Sequence, residues 1–415
     1  MSSNTSMTGK PSVDRPWMKY YPEPLRKIQI PQCTVKEYLK RNCPGEDVAA
    51  MEFYGTEISW KTVFEQSEAV ARSLRALGFK EGDQIPVFLS LVPEFFYILL
   101  GAEQIGASLL CRDNTLRENV EAVSKSGAKA MIAQDYLSQT ELGRYLSDTD
   151  VEKVVLLDAC YSCNRDDMPD YVRENLEKKY PEERAHGSKT MNWDQFLALG
   201  KDYTGEVDAP VDINRPLFRA YTSGSTGPSK QVIHSAYTMI AVVAQMNFYA
   251  GGDGYRPTWL VTALPPCLVA VVVSMTLMPL SSNKLLMLDP YCAVEDIDLE
   301  MMRYRPNSWP LIPMFIETVM RNGRVPDDYD MSHLTAAGAG SESYNNNQMM
   351  RAQKFVKDHN CNIRFTTGYG NSEAGSNVTL PMTPHPMGNG NVGVPLIHNI
   401  ISIFEPDTQN ELTYN

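Results

Sequence analysis

The 415-residue sequence lacks the features that mark several large classes of protein. It has no dense run of Lys and Arg, and its formal net charge is -12, whereas nucleic-acid-binding surfaces are basic. The first ten residues, MSSNTSMTGK, contain no apolar core and so predict no secretory signal. With 43% hydrophobic and 21% charged residues, the composition predicts a globular, cytoplasmic protein with no nucleic-acid partner.

Cysteine is not arranged in a metal-binding pattern. The chain has eight cysteines, and Cys160 and Cys163 form its only C-x-x-C pair. A zinc site needs a second pair or nearby histidines, and neither is close in the sequence. The pair follows the apolar run Val154–Leu157, so a redox motif at the end of a strand stays an alternative. Free thiols in a reducing cytosol are the preferred interpretation.

One stretch, Thr258 to Asn283, contains no charged residue and is long enough to cross a bilayer. Pro265 and Pro266 interrupt it, and its first part, Trp259–Leu264, is strand-like. We therefore predict a buried strand, a turn and a helix here, and no membrane span.

Helices and strands alternate along most of the chain. Apolar residues at helical spacing predict helices at Thr62–Leu77, Pro93–Ile105 and Glu118–Ser126. Strands are predicted at Gln84–Leu89, Ser108–Cys111, Lys129–Ala133, Leu217–Tyr221, Trp259–Ala263, Lys284–Leu288, Trp309–Ile312, Leu334–Ala336 and Ile363–Thr366. The alternation indicates a mostly parallel sheet covered on both faces. Residues 1–45 are expected to form an extended surface arm, and Asp158–Thr204 an irregular excursion.

The stretch Tyr221–Lys230, YTSGSTGPSK, suits either a surface loop or a phosphate-binding loop. It is not a Walker A loop, because Lys230 stands three residues beyond Gly227. The glycines still let main-chain N–H groups point at an anion, and the lysine adds a positive charge. Hydroxyl donors come from Thr222, Ser223, Ser225 and Thr226. The loop follows a buried strand, which places it at the carboxyl edge of a sheet, so phosphate binding is preferred.

A second constellation, FTTGYGNSE at Phe365–Glu373, also follows a predicted strand. Gly368 and Gly370 flank Tyr369 and leave its ring bare for a flat partner such as a base. Glu373 ends the stretch with a carboxylate, which beside phosphates serves chiefly as a Mg²⁺ ligand. A glycine-rich turn with one exposed tyrosine is the alternative.

Together the two stretches resemble the phosphate loop and the adenine and magnesium motif of the adenylate-forming superfamily, which includes acyl- and aryl-CoA synthetases. Further stretches resemble other core motifs of that superfamily in the same order. They are Ile58–Lys61 with Leu77–Asp83, Leu100–Ala107, Ala337–Ser343 and Gly390–Pro395. The similarity runs from about residue 50 to residue 415.

The resemblance implies an α/β fold with two doubly wound, mostly parallel sheets flanked by helices and a small β-rich subdomain. It implies an N-terminal arm at 1–45, a first α/β subdomain at 46–210, a second with the ATP site at 211–385, and the start of the β-rich subdomain at 386–415. The family continues with a Y-x-T-G-D motif and a C-terminal lid domain that carries a catalytic lysine. We expect these residues to be the large N-terminal part, weakly active alone.

The resemblance also implies a chemistry. Members activate a carboxylate with ATP and Mg²⁺, giving an acyl-adenylate and pyrophosphate, and a thiol such as that of CoA then takes the acyl group. By motif, residues 222–230, including Gly224, would bind the β- and γ-phosphates, Ser372 would touch the α-phosphate and Glu373 would bind Mg²⁺. The predicted catalytic residues are Lys230, Ser372 and Glu373. The remaining nucleotide contacts are Gly340, Ser341, Glu342, Thr367, Gly368, Tyr369, Gly370 and Asn371.

The acid is expected to be an apolar acyl or aryl acid without an amino group. The stretch Ala263–Ser274 has no acidic residue to pair with a substrate ammonium, which would stay unpaired at a cost of several kcal/mol. Leu268 stands where the family often has a gating aromatic or histidine, and Ser372 replaces the usual threonine. Candidate pocket walls are Leu268, Val269, Val272, Met314 and Phe315, with core packing as the alternative.

Two other interpretations stay open. The enzyme could deliver the acyl group to a carrier-protein thiol or another nucleophile, or the chain could be a non-catalytic nucleotide-binding module. Retention of Lys230 and Glu373 argues against the module. A homodimer is left open. We expect the two glycine-bearing turns to meet at a single sheet edge and to bind opposite ends of one ATP.

Overall fold

The structure is a computed structural model that describes residues 7–222, 227–247, 256–310, 312–340, 345–363, 365–381 and 391–414. Within these ranges the strands are β1 (Ala49–Phe53), β2 (Thr56–Ser59), β3 (Gln84–Phe88), β4 (Ser108–Leu110), β5 (Ala130–Gln134), β6 (Lys153–Leu157), β7 (Thr190–Asn192), β8 (Pro216–Tyr221), β9 (Gln231–Ser235), β10 (Thr258–Thr262), β11 (Leu285–Asp289), β12 (Ser308–Pro310), β13 (Ala336–Ala339), β14 (Thr366–Thr367), β15 (Gly370–Asn371), β16 (Ser376–Asn377), β17 (Thr379–Leu380) and β18 (Val394–Pro395).

The helices of the described ranges are α1 (Pro11–Asp14), α2 (Glu23–Arg26), α3 (Val35–Asn42), α4 (Trp60–Ala76), α5 (Pro93–Ile105), α6 (Leu116–Ser126), α7 (Gln139–Asp148), α8 (Asp170–Glu177), α9 (Trp193–Lys201), α10 (Ala236–Asn247), α11 (Met278–Ser281), α12 (Ile297–Tyr304), α13 (Pro313–Asn322) and α14 (Asn346–Asp358). A π-helical segment, Val271–Leu277, leads into α11.

Two seven-stranded sheets organise the described residues, and each is parallel apart from one edge strand. The first sheet has the order β7-β6-β5-β3-β4-β8-β9, with β9 antiparallel. The second has the order β14-β13-β12-β10-β11-β1-β2, with β2 antiparallel. Helices pack on these sheets, as buried parallel strands require. The α/β fold with two mostly parallel sheets is confirmed.

Local sequence explains where the two central helices begin and end. α4 starts after Ser59, whose hydroxyl accepts a hydrogen bond from the N–H of Thr62 and so caps the helix. α5 starts at Pro93 and ends before Gly106, whose φ of +74° is the left-handed conformation that favours glycine. The predicted helices at these positions are confirmed.

A buried hydrogen-bonded group joins the two sheets at the carboxyl ends of their strands. The Tyr54 hydroxyl donates to Asp289 Oδ1 at 2.6 Å and accepts from the Tyr291 N–H at 3.0 Å. The Tyr291 hydroxyl donates to the Ala159 carbonyl at 2.8 Å, just beyond β6. Burial raises the pKa of both tyrosines, so both hydroxyls keep the proton that they donate. These four residues are called the tyrosine joint below.

Two stretches are more regular than predicted. Asp158–Thr204, predicted to be irregular, contains α8, β7 and α9, and β7 forms an edge of the first sheet. Residues 1–45, predicted to be extended, carry α1, α2 and α3 in their described part. These predictions were wrong because the helices are short, from four residues in α1 and α2 to nine in α9, and so show little helical periodicity in the sequence. They still place apolar residues in the interior, such as Leu25 and Trp193.

The strands do not follow the predicted division at residue 210. β1 and β2, from the predicted first subdomain, belong to the second sheet. β8 and β9, from the predicted second subdomain, complete the first sheet. Each sheet therefore uses chain from both sides of the division, because a strand joins the neighbours with which it shares hydrogen bonds, whatever their order in the sequence. The subdomain limits themselves stay a prediction.

The uncharged stretch Thr258–Asn283 forms β10, a turn, the π-helical segment and α11, so the predicted strand, turn and helix are confirmed. No helix in the described parts of the chain combines the length and apolar character needed to cross a bilayer. π-Helical turns are rare and often lie at functional sites. Here Ser274 Oγ lies 2.5 Å from Ser376 Oγ, directly beyond the second glycine-rich motif.

The last described residues form short antiparallel pairs. β17 pairs with β18, and Phe404 bridges to Glu411. The N-terminal segment holds this region in place, since Ser12 N–H and Oγ donate to the Glu411 carboxylate at 2.8 and 2.5 Å. Segments from opposite ends of the sequence are therefore in contact at this position.

Gly200 in α9 allows close packing against α4. A Cβ atom at Gly200 would lie 2.4 Å from Ser73 Oγ and 2.7 Å from Ser73 N. We expect Gly200→Ala to lower the free energy of unfolding by about 1–3 kcal/mol through overpacking, measured by urea unfolding of the full-length protein.

The control for this measurement is Gly143→Ala in α7, where an added Cβ meets nothing within 4 Å in the described part of the chain. It is expected to raise the free energy of unfolding by about 0.5–1 kcal/mol, because alanine is the better helix former. Equal unfolding free energies for the two variants would contradict the close approach of α9 to α4.

Candidate functional site

The base of the first glycine-rich loop is closed by hydrogen bonds between β8 and β9. The Thr222 N–H donates to the Lys230 carbonyl at 2.9 Å, and the Lys230 N–H donates to Thr222 Oγ1 at 3.0 Å. Ser229 Oγ donates to the Thr222 carbonyl at 2.6 Å. The Lys230 side chain and Gly227 are exposed. The predicted contacts Ser223, Gly224, Ser225 and Thr226 lie outside the described residues.

The predicted adenine contacts come from two neighbouring strands of the second sheet. β13 and β14 are parallel, and Ala339 is the register partner of Thr367. Gly340 and Gly368 follow these two residues directly, so they leave the sheet side by side at its carboxyl edge. The Thr367 hydroxyl donates to the Asn391 carbonyl at 2.9 Å. Ser341 and Glu342 lie outside the described residues.

Tyr369 presents a half-exposed ring on a fixed main chain. Its side chain is 49% exposed. Its N–H donates to Thr379 Oγ1 at 2.9 Å, and its carbonyl accepts from the N–H groups of Val378 and Thr379 at 2.8 and 3.0 Å. Asn371 Nδ2 donates to its hydroxyl at 3.1 Å. The ring is therefore held where a flat ligand could stack on it.

Beyond Tyr369 the chain forms a tight hairpin that presents Glu373. β15 pairs with β16, and the tip is a turn in which the Gly375 N–H donates to the Ser372 carbonyl at 3.2 Å. Asn371 Oδ1 accepts from the Ala374 N–H at 2.8 Å and closes the same turn. The Glu373 side chain is exposed, and Ser372 beside it is partly buried.

The donor set at this turn suits Mg²⁺ held jointly with phosphates. The described residues contain no group of three or more His, Cys, Asp or Glu side chains that could hold a metal ion alone. Mg²⁺ usually takes one or two carboxylates and completes its shell with water and substrate phosphates. The single exposed carboxylate of Glu373 fits that pattern.

The two motifs follow strands of different sheets, whereas the prediction placed them at a single sheet edge. β8 pairs with β4 of the first sheet, whereas β14 pairs with β13 of the second. His234, in β9 directly after the loop, lies under the Glu373 turn. Its Nδ1 is 3.6 Å from the position that a Cβ atom would take on Gly375. The prediction was wrong because strand pairing across long sequence separations decides which sheet each motif joins.

The five predicted walls of the acid pocket fall into two groups. Leu268 and Met314 are 45% and 44% exposed. Met314 lies in the first turn of α13, which begins shortly after β12 of the second sheet. Val269, Val272 and Phe315 are buried within the apolar cores, where core packing accounts for them. Leu268 and Met314 thus remain the predicted contacts that a ligand can reach.

A cavity of about 740 Å³ lies between the carboxyl ends of the two sheets. Residues after β3, β4 and β5 line one side, and Ala263–Cys267 after β10 line the other. Arg112 is fixed at the cavity by stacking on Tyr221, with its guanidinium carbon 4.2 Å from the ring centre. It also forms an ion pair with Glu118 at 2.9 Å. The cavity has the volume of a typical small-molecule site.

His234 and Arg112 were not among the predicted site residues. A histidine four residues after Lys230, in a strand entered directly from the loop, is the signal that could have drawn attention to His234. Arg112 follows a predicted strand, but its stacking partner is distant in the sequence. Cys160 and Cys163 are free thiols in the turn after β6, and the redox alternative for them remains untested.

Comparison with known proteins places the chain in a family. Residues 40–415 match the family described as AMP-binding enzyme, and the chain belongs to that family. It is 22% identical over 377 residues to 4-coumarate–CoA ligase 2 of Petroselinum crispum, covering 87% of this chain and 61% of the relative. It is 24% identical over 386 residues to acetyl-coenzyme A synthetase 1 of Candida albicans, covering 87% and 53%.

Solved structures share the fold. The crystal structure of the anthranilate CoA ligase AuaEII in complex with anthranoyl-AMP matches with a TM-score of 0.74 at 14% identity, covering 93% of this chain and 68% of that one. Apo MatB from Rhodopseudomonas palustris matches with a TM-score of 0.71 at 16% identity, covering 91% and 67%. The chain thus spans only part of the length of its curated relatives, 61% and 53% of the two named above.

Gly370 is required by the hairpin that carries Glu373. A Cβ atom at this position would lie 2.2 Å from the Ser376 carbonyl oxygen and 2.8 Å from its carbon. We expect Gly370→Ala to open the β15–β16 pair and to speed amide hydrogen exchange in residues 370–377 at least tenfold, measured by mass spectrometry.

Gly340→Ala is the matched control, because an added Cβ there meets no atom of the described residues within 4 Å. It should leave hydrogen exchange in the hairpin unchanged. Wild-type exchange in Gly370→Ala would show that the two strands do not approach as closely as described.

Proposed function

We propose that the chain is the ATP- and acid-binding part of an AMP-forming acid–thiol ligase. The carboxylate of the acid attacks the α-phosphorus of ATP, and pyrophosphate leaves, which gives an acyl-adenylate. The sulfur of CoA then attacks the acyl carbon, and AMP leaves. The observation that carries the proposal is the contact between His234, in the strand that follows Lys230, and Gly375, in the turn that carries Glu373.

The arrangement supports binding of one ATP across the two motifs. The loop that ends at Lys230 would bind the β- and γ-phosphates with its N–H groups, hydroxyls and ammonium. At the other end, Gly340 and Gly368 leave the adenine room beside the exposed Tyr369 ring. Ser372, in the turn between these ends, would donate its hydroxyl to the α-phosphate.

Catalysis at such a site consists of positioning and charge neutralisation. Attack on the α-phosphorus places negative charge on its oxygens and on the departing pyrophosphate. Lys230 would offset the charge on the pyrophosphate, and Glu373 would hold Mg²⁺, which neutralises phosphate oxygens when bound. No covalent bond to the protein is needed.

The cavity between the sheets supports CoA as the acceptor. It opens beside Pro265–Cys267, directly before Leu268 in the chain, and so adjoins the predicted acid pocket. Arg112 and Lys179 line it, together with the carboxylates Asp113 and Glu141. We assign the phosphates of the thiol to the two cations. Delivery to a carrier-protein thiol would use the same ATP residues, so the acceptor must be tested separately.

The accessible acid contacts favour an apolar acid without an amino group. Leu268 and Met314 offer aliphatic surface, and Ala263–Ser274 contains no carboxylate that could pair with an ammonium group. An amino acid bound there would leave its charge unpaired, which is costly. Acyl and aryl acids meet this requirement.

Glu373→Ala tests the proposed magnesium role. We expect the variant to lower the rate of carboxylate-dependent ATP–pyrophosphate exchange by about 10²–10³-fold, the loss seen when one electrostatic partner of a reacting group is removed. The assay uses the full-length protein over a panel of carboxylic acids. The thermal midpoint should stay unchanged, since Glu373 is exposed.

Glu206→Ala removes an equally charged, exposed carboxylate elsewhere and should keep wild-type exchange. Wild-type exchange by Glu373→Ala would refute the metal role. If the wild type binds ATP but no acid supports exchange, the nucleotide-binding module is the better account. If adenylate forms but CoA does not accept the acyl group, a carrier protein is the better acceptor.

A further inference from the structure

His234 is a buried histidine at the contact between the two ATP motifs. It lies in β9, which starts immediately after Lys230, and its side chain is 3% exposed. In the β8–β9 pair its register partner is Phe218, a buried residue of the first sheet. The edge strand of the first sheet therefore carries the imidazole.

The other side of the imidazole faces the Glu373 turn. The position of a Cβ atom on Gly375 would lie 3.6 Å from His234 Nδ1 and 3.7 Å from Cε1. Gly375 has a φ of +81°, which L side chains rarely adopt. Val242 of α10 lies 3.6 Å from the same point. The turn thus rests on a surface made of the imidazole and one valine.

One hydrogen bond ties the ring to the turn. The side chain of His234 is hydrogen-bonded to the main chain of Ser372. Nδ1 lies beside the turn, 3.6 Å from the Cβ position of Gly375. A carbonyl only accepts, so the imidazole is the donor in this hydrogen bond. Burial lowers the pKa of His234, and the hydrogen bond to Ser372 opposes that shift.

We propose that His234 is a positioning residue that sets the Ser372–Gly375 turn, and with it the Glu373 carboxylate, relative to the phosphate loop. The inference rests on the proposed function, because it assumes that Glu373 meets Mg²⁺ on the phosphates of ATP. A metal ligand must be placed within a fraction of an ångström, and a misplacement of about 1 Å is costly. The imidazole packs against the turn and donates a hydrogen bond to it, and both interactions fix the position of the turn.

The test distinguishes the effect of the hydrogen-bond donor of His234 from the effect of the volume of its ring. His234→Asn places an amide N–H near the position of Nδ1, and His234→Leu fills similar space without a donor. Isothermal titration calorimetry on the full-length protein measures ATP binding in EDTA and at increasing Mg²⁺, without any acid. We expect His234→Leu to raise the Mg²⁺ concentration for half-maximal ATP binding at least tenfold. His234→Asn should stay within threefold of the wild type, and ATP affinity in EDTA should not change.

His359→Leu is the matched control. His359 is 8% exposed, its Nδ1 lies 2.8 Å from the Phe355 carbonyl, and its Nε2 has no partner among the described residues. It lies after α14, outside the ATP motifs. Its replacement should lower the thermal midpoint about as much as His234→Leu does, with wild-type Mg²⁺ dependence.

If His234→Leu does not fold, Gly375→Ala disturbs the same contact from the turn, because alanine there is strained at φ +81°. It should raise the Mg²⁺ requirement in the same way. Wild-type Mg²⁺ dependence in both variants, or a loss in His234→Asn equal to that in His234→Leu, would overturn the inference. If no acid supports ATP–pyrophosphate exchange, the proposed ligase function is wrong. The Mg²⁺ dependence of ATP binding would still test the role of His234.

Discussion

The tyrosine joint is the constraint on which the candidate site depends, because the two glycine-rich motifs follow strands of different sheets. Tyr54, Asp289 and Tyr291 leave the carboxyl ends of β1 and β11, and Tyr291 reaches the Ala159 carbonyl beyond β6. Burial raises the pKa of Asp289 well above its ordinary value, which favours the protonated form of this carboxyl group. The hydrogen bonds of the joint connect the second sheet to the segment that follows β6 of the first sheet.

Within that frame, the turn that carries Glu373 is held by strained backbone and close packing. Gly375 and Ser376 have φ angles of +81° and +120°, and Ser376 is a residue type that seldom adopts such a value. Ser274 in the π-helical segment compensates, since its hydroxyl meets Ser376 Oγ at 2.5 Å and donates to Asn377 Oδ1 at 2.9 Å. The π-helical segment and the strained turn thus stabilise each other through these hydrogen bonds. The exposed Glu373 carboxylate lies on that turn.

The sequence was enough to predict features that depend on a few neighbouring residues. The bounds of α5, the exposed ring between Gly368 and Gly370, and the exposed Lys230 and Glu373 all follow from local patterns. Pairing of β4 with β8 joins distant segments, and no local pattern contains it. For the same reason the contact of His234 with Gly375 could not be predicted. The predicted roles of Ser223–Thr226, Ser341 and Glu342 stay predictions.

The most direct measurement of the central claim is a crystal structure of the full-length protein with ATP and Mg²⁺. The account predicts one ATP spanning the two sheets, with its terminal phosphates within hydrogen-bond distance of Lys230 and its base on Tyr369. It also predicts the metal on Glu373. An ATP that contacts only one of the two motifs, or a metal bound away from Glu373, would contradict the account.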